Sequence, residues 1–178
     1  MKRHQPTIRD ARVTDIAAIT AIYRPAVLHG TASFELEPPD EAEMRRRFDT
    51  LTGGGFPYLV AEIEGHGVVG YAYASAYRPR PAYRFSVENS IYVAPAMQRA
   101  GVGQALLDAL IARATSQGFR QMIAVIGDSG QTASIELHRR NGFAHSGTVR
   151  AVGFKFDRWL DIVIMQRPLG AGDTTSPS

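Results

Sequence analysis

The 178-residue chain has no cysteine. That removes disulfide scaffolds, thiolate metal sites, iron-sulfur clusters and a cysteine nucleophile together, and it suits a reducing compartment. No run of about 18 apolar residues occurs, so no membrane-spanning helix is expected. The opening Met1-Lys2-Arg3-His4-Gln5-Pro6 leads into no apolar segment of the secretory type, and a cytoplasmic location follows as an expectation. Charge of one sign is scarce as well, with a net +3 from 20 Lys and Arg against 17 Asp and Glu. A dedicated nucleic-acid binder should gather its cations on one face with aromatics between them, whereas the densest run, Arg45-Arg46-Arg47, reads as a solvated helix face. A pocket for an anionic ligand accounts for the surplus with fewer assumptions. His, Asp and Glu show no metal-ligand spacing, and no Ser stands in a nucleophile elbow. What is present is 44% hydrophobic residues, enough for one sizeable core in one domain.

Hydrophobic periodicity then orders the chain. A short strand opens residues 7–13, and Thr14 is placed to cap a helix whose face carries Ile16, Ile19, Tyr23 and Val27, with Pro25 expected to end or kink it. Asp40 with Glu43 resembles a capping box for a second helix along Met44, Phe48 and Leu51, stopped by Gly53-Gly54-Gly55. Residues 58–64 and 68–77 read as a hairpin about Gly65-His66-Gly67. Arg78-Pro79-Arg80-Pro81 cannot join a ladder, because its two prolines lack donors, and a strand follows over residues 85–93. Leu106, Leu107, Leu110, Ile111 and Ala114 trace a helix over 103–117, and the apolar run 122–126 reads as a buried parallel strand. A short helix over 132–140 and strands near 145–152 and 159–166 complete the order β α α β β β α β α β β. The expected fold class is α/β: a single domain over residues 7–168 with a mixed central sheet and helices on both faces, a flexible N-terminus at 1–6 and a disordered tail at 169–178.

Chemistry is expected where the 85–93 strand passes into the next helix through Gln98-Arg99-Ala100-Gly101-Val102-Gly103-Gln104. Glycines let a ligand approach the backbone, and the free N–H groups of the first helical turn, with the positive end of the helix dipole behind them, suit an anion such as a pyrophosphate. The spacing fits neither the nucleotide P-loop nor the three-glycine dinucleotide fingerprint.

These residues carry a resemblance. Gln98-x-x-Gly101-x-Gly103 after a strand, with Asn141-Gly142-Phe143 closing a short helix further on, is similar to the GNAT superfamily of N-acetyltransferases. The segments Ala82-Tyr83-Arg84-Phe85-Ser86-Val87-Glu88-Asn89-Ser90-Ile91-Tyr92-Val93, Ser134-Ile135-Glu136-Leu137-His138 and Gly153-Phe154-Lys155-Phe156-Asp157-Arg158-Trp159 resemble more narrowly the phosphinothricin and methionine sulfone/sulfoximine acetyltransferase family. The likeness spans residues 7–166.

The resemblance implies acetyl-CoA as co-substrate and no metal. Its pyrophosphate would meet the backbone of Arg99, Ala100, Gly101, Val102, Gly103 and Gln104, and its pantetheine arm the backbone of Ile91, Tyr92 and Val93, where this strand splays from the next. Gln131, standing where the family commonly has Asn, together with Ser134 and His138 would complete that side. Alternation puts Glu88 on one face with Ser86, Ser90 and Tyr92. It is either an exposed edge or salt-bridged carboxylate or, as the family match implies, the general base that takes the proton from an arriving ammonium. His138 either protonates the departing thiolate or packs on the cofactor. Arg78 and Arg80 either fork onto an amino-acid substrate or belong to a solvated loop. Phe34 and Tyr83 are expected as pocket walls, with Asn89 and Ser90 beside them as further substrate contacts. The implied reaction is direct acetyl transfer to the α-amine of a small amino acid such as phosphinothricin, methionine sulfoximine or methionine sulfone, by a homodimer with no nucleic-acid or membrane partner. A protein N-terminal acetyltransferase and a catalytically silent acetyl-CoA-binding sensor stand as the alternatives.

Overall fold

A computed structural model describes residues 5–177. Strand β1 (Thr7–Asp10) leads into helices α1 (Ile16–His29) and α2 (Glu41–Gly53). Strands β2 (Tyr58–Ile63), β3 (Gly67–Ala76) and β4 (Ser86–Val93) follow, then α3 (Val102–Ser116), β5 (Gln121–Gly127), α4 (Thr132–Arg140), β6 (Ala144–Lys155) and β7 (Arg158–Pro168). The element order is the expected one. All seven strands form one sheet in the order β1-β2-β3-β4-β5-β7-β6, and only the β4–β5 pairing is parallel.

Each face of the sheet has its own core. On one side Leu106, Leu107, Leu110 and Ala114 of α3 are wholly buried against Val87, Ala72, Met122 and Val163, with Ile135 and Leu137 of α4 packed alongside. Leu110→Ala would cost about 2–5 kcal/mol there. On the other side Ile19 and Tyr23 of α1, Val27 beyond them, and Met44 and Phe48 of α2 cover Tyr58, Val60 and Tyr71. This is the mixed sheet with helices on both faces that the periodicity predicts.

Local differences have physical causes. Pro25 lies inside α1 and does not end it, because buried Val27 holds the last turn against the sheet. Thr14 is not the cap either; it sits in a short 3-10 turn (Val13–Asp15) whose Asp15 carboxylate accepts from the Arg12 N–H and from Arg9. Asp40 does cap α2, accepting from the Glu43 N–H at 2.8 Å, while the Glu43 side chain turns to Arg46 and Arg47 instead of reaching back. The tail expected to fray makes contacts: Leu169 is buried and the Arg120 guanidinium donates to the Thr175 carbonyl at 2.7 Å. Of the N-terminal segment expected to be flexible, residues 1–4 lie outside the described part.

Candidate active site

The parallel β4–β5 pairing is short. It runs from Ser86↔Gln121 to Asn89↔Ala124 and stops, while Ser90, Ile91, Tyr92 and Val93 stay paired to β3, and Val125, Ile126 and Gly127 to β7. The two strands therefore part, and their inward backbone groups face one another across a slot without sheet partners. Unpaired N–H and C=O groups at this depth call for a ligand with amides of its own, which is what a pantetheine arm offers. Ala32, Gln131, Ser134 and His138 close the slot from the sides.

At the end of β4 the chain turns into α3. Gly101 caps the helix with φ +87°, a left-handed conformation that strains any side chain, and no side chain takes the N–H groups of the first turn. Gly103 differs, since a Cβ there would meet only Leu137 at 3.5 Å and Val93 at 3.8 Å, ordinary contacts. Gln104 does not face a ligand with its side chain; its amide and that of Asn141 donate to one another at 2.8 and 3.2 Å, which accounts structurally for the Asn141-Gly142-Phe143 segment.

His138 is buried on α4, with Nδ1 2.8 Å from the Ser134 carbonyl and Nε2 3.0 Å from the Asn89 amide. Burial holds its pKa below the ordinary imidazole value, partly offset by the Ser134 contact, so the neutral ring is favoured. A neutral ring has one N–H. The Ser134 carbonyl can only accept, so Nδ1 donates and Nε2 remains an acceptor; the Asn89 atom placed at 3.0 Å is Oδ1, also an acceptor, and the pair is matched only with the amide turned so that Nδ2 faces the ring. That turn also relieves Nδ2, which otherwise lies buried without a partner. Asn89 thus serves His138 on the α3/α4 face of β4, where it lines the slot with Ser90 and Ile91.

Glu88 occupies the opposite face. The register sets it against Ser75, and its neighbour on that face, Ser90, against Tyr73. Glu88 is half-buried and makes no ion pair or hydrogen bond among the described residues; burial raises its carboxyl pKa, and the positive charge of Arg78 opposes the rise. Glu88 is therefore neither salt-bridged nor on an exposed edge, since β4 lies between β3 and β5. Arg78 lies over the Tyr77 ring at 5.1 Å, and Tyr83 meets that ring edge-on at 5.9 Å, making one cluster near Glu88. Arg80 is exposed ahead of the 3-10 turn Pro81–Tyr83 and belongs to no such contact.

The loop between α1 and α2 closes the site, and Phe34 is its lid. A Cβ at Gly127 would collide with the Thr31 carbonyl and come within 2.9 Å of the Phe34 ring, and one at Gly153 would collide with the same ring, so Phe34 packs closely against both glycines. The loop is pinned from four elements. Lys155, buried at 4% exposure, donates from Nζ to the carbonyls of Gly30 at 2.9 Å and Ser33 at 2.7 Å. Tyr23 of α1 donates to Glu35 at 2.8 Å, Arg47 of α2 to the same carboxylate at 2.6 Å, and Gln131 at the start of α4 to Thr31 at 3.0 Å. Sequence reasoning missed Lys155, because an isolated Lys in a strand reads as a solvated position. It also missed Tyr73 and Ser75, although pairing the two strands about Glu88 would have indicated them.

A sheet parted at one parallel pair, with a bare helix N-terminus at the mouth of the gap and a free carboxylate beside it, is the arrangement of an acyl-group transferase. The chain matches the model of the acetyltransferase (GNAT) family over residues 19–143. It belongs to that family and is an acetyl-CoA-dependent N-acetyltransferase of the single-domain α/β type. It is 56% identical over 171 residues to a phosphinothricin N-acetyltransferase of Alcaligenes faecalis, covering 96% of this chain and 86% of that one. To an L-methionine sulfoximine/L-methionine sulfone acetyltransferase of Pseudomonas aeruginosa it is 46% identical over 160 residues, or 90% and 92% of the two chains. The solved phosphinothricin acetyltransferase of Sinorhizobium meliloti, in complex with AcCoA, superposes with a TM-score of 0.95 at 54% identity over 98% of this chain and 94% of that one. Among the described residues no helix is long and apolar enough to cross a membrane, and no three His, Asp or Glu side chains gather as for a metal ion.

Proposed function

We propose that this enzyme acetylates the α-amine of a small amino acid whose side chain ends in tetrahedral, oxygen-rich chemistry, such as phosphinothricin, methionine sulfoximine or methionine sulfone. The single observation that carries the mechanism is the unpaired, half-buried Glu88 carboxylate beside the slot. Acetyl-CoA, when bound, supplies an electrophilic thioester carbon. The backbone of residues 99–104 would hold its pyrophosphate, and the backbone of Ile91, Tyr92 and Val93 its pantetheine arm, with Gln131, Ser134 and His138 along the side.

Glu88 prepares the nucleophile. An amino acid arrives as an ammonium ion, which has no lone pair to attack with; the Glu88 carboxylate takes one proton, directly or through a water, and leaves a neutral amine facing the slot. Partial burial raises the basicity of the carboxylate, so it takes that proton more readily than an exposed one would. Arg78, within electrostatic reach of Glu88, supplies a guanidinium for the acceptor's carboxylate, with Arg80 further out on the same loop. Phe34 and Tyr83 wall the aliphatic stem. His138 packs against the cofactor side, since its one N–H is committed to Ser134. What supports a compact acceptor over a protein N-terminus is the loop pinned by Lys155, which narrows the groove a peptide would need. The same Glu88 tells against a silent sensor.

The assembly we propose is a homodimer. The β6–β7 hairpin at the sheet edge leaves Val149, Val152, Phe154, Phe156 and Trp159 exposed together, an apolar surface of the kind that a second copy covers. Incubation of a panel of amino acids and N-terminal peptides with acetyl-CoA, followed by thiol release, tests the substrate class. Rapid modification of peptides with none of the three amino acids turned over would replace it.

A further inference from the structure

On the face of the sheet that carries Glu88, a cavity of about 370 Å³ lies beneath α2, and its floor is tyrosine. Tyr58 is paired in register with Tyr73, whose ring stacks on it at 5.1 Å; Tyr71, two residues back on β3, stacks on Tyr58 at 5.9 Å. Ser75 lines the same cavity and is the register partner of Glu88, so the cavity begins about one strand spacing, roughly 4.8 Å, from the proposed base.

The hydroxyls of this floor are not equally employed. Tyr23, at the cavity wall, spends its own on Ser33 and Glu35. Tyr58 and Tyr71, exposed by only 4% and 1%, line the cavity with hydroxyls that have no hydrogen-bond partner among the described residues. Their rings are buried but their oxygens are not among the side-chain atoms shut away without a partner, so the two hydroxyls open onto the cavity and are free to donate to what enters it. The guanidinium at the rim is not free in their place, because Arg47 donates to Glu43 at 2.7 Å and to Glu35 at 2.6 Å. Two phenol O–H donors are thus open to a ligand on the aromatic floor, with Ser75 at the end toward Glu88 and Glu43, Arg46, Arg47 and Thr50 at the rim.

We propose that this cavity is the subsite for the acceptor's side chain, and that the Tyr58 and Tyr71 hydroxyls donate hydrogen bonds to the oxygens at its tip. The inference rests on the substrate class proposed above and deepens it, assigning the recognition of those oxygens to phenols rather than to Arg78 and Arg80, which are left to the carboxylate. The geometry suits such a ligand: past Phe34 and Tyr83, which flank the stem, the side-chain tip meets tyrosine faces while a tetrahedral sulfur or phosphorus presents two acceptor atoms, oxygens or an oxygen and an imine nitrogen, to two donors. Burial raises both phenol pKa values, which keeps the two groups protonated as donors.

The test compares methionine sulfone with methionine, which has the same stem and no oxygens, as substrates or competing inhibitors of the full-length enzyme. Tyr58→Phe and Tyr71→Phe remove one oxygen atom each. Each should lower the preference for the sulfone over methionine about tenfold, the effect of one lost hydrogen bond, mostly through KM, with the KM for acetyl-CoA held. Neither should melt below the wild type, because the hydroxyls have no partner in the protein to lose. Thr50→Trp, which fills the cavity from the exposed side of α2, should raise the KM for the sulfone at least tenfold. A sulfone-to-methionine preference that stays the same in both phenylalanine variants overturns the subsite, as does an unaltered KM in Thr50→Trp. A wild-type enzyme that turns over no oxygen-bearing amino acid instead overturns the proposed substrate class, and the subsite falls with it.

Discussion

Glu88→Gln isolates the proposed base. The amide has nearly the shape of the carboxylate, and because Glu88 holds no ion pair or hydrogen bond among the described residues, the exchange removes basicity and little else. General-base catalysis contributes about 10² to 10⁴-fold, roughly 2.7–5.4 kcal/mol of barrier, and kcat/KM should fall by that amount while acetyl-CoA still binds. Thiol release at saturating acetyl-CoA measures the first quantity and calorimetry the second. The wild-type rate should fall with acid along a limb above the ordinary carboxyl range, because burial raises the Glu88 pKa. Arg78→Ala, which withdraws the charge that opposes the rise, should move that limb to still higher pH. Stability should respond in the opposite sense to activity. A carboxyl whose folded pKa is raised lends its full stability below its unfolded value, and that stability is lost as pH rises through the folded value. At neutral pH the charged Glu88 therefore costs the fold, and Glu88→Gln should melt slightly higher than the wild type. A variant that turns over at a near-normal rate would refute the assignment, and so would an acid limb that persists in it.

Gly103→Asp sets a side chain and a negative charge against the pyrophosphate in a backbone conformation that any residue accepts, and should weaken acetyl-CoA binding at least tenfold by calorimetry, whereas Gly101→Asp adds φ strain and reads less cleanly. Arg78→Ala should raise the KM for the acceptor by one to two orders of magnitude with little change for acetyl-CoA, and Arg80→Ala, further out in solvent, by less. Lys155→Met keeps the stem and removes the donor for the Gly30 and Ser33 carbonyls; unfolding should become easier by about 1–3 kcal/mol, and the acceptor KM should rise as the Phe34 loop loosens, with Lys155→Arg restoring part of both. Trp159→Glu should convert the dimer to a monomer in light scattering at micromolar concentration, and a wild-type chain that is already a monomer there would remove the dimer from the reading.

How far the sequence reveals this molecule depends on which half of the chemistry is asked about. The donor side is built from contiguous backbone: a strand that parts from its neighbour, a glycine in a left-handed cap, the open first turn of α3. Each leaves a local mark, in the β-branched and aromatic run of 86–93, in Gly101 and Gly103, and in the leucine stripe that follows. The same locality makes the element order legible, because every strand and helix carries its period within its own residues. Failures occur where a distant partner decides the outcome. Pro25 does not end α1 because Val27 is held by the sheet, and Leu169 does not fray because the chain near Arg120 receives it. The side of β4 that Asn89 takes is legible, since the alternation that puts Glu88 and Ser90 on one face puts Asn89 on the other. The acceptor side is built from side chains that meet only in three dimensions. Lys155 reaches carbonyls more than 120 positions away, and Phe34 lies on glycines from β5 and β6. A donor common to a whole family can be held by main-chain groups, which any sequence with the right glycines supplies. An acceptor peculiar to one branch has to be held by side chains from many elements, so the residues that set specificity are those whose neighbours in sequence say least about them.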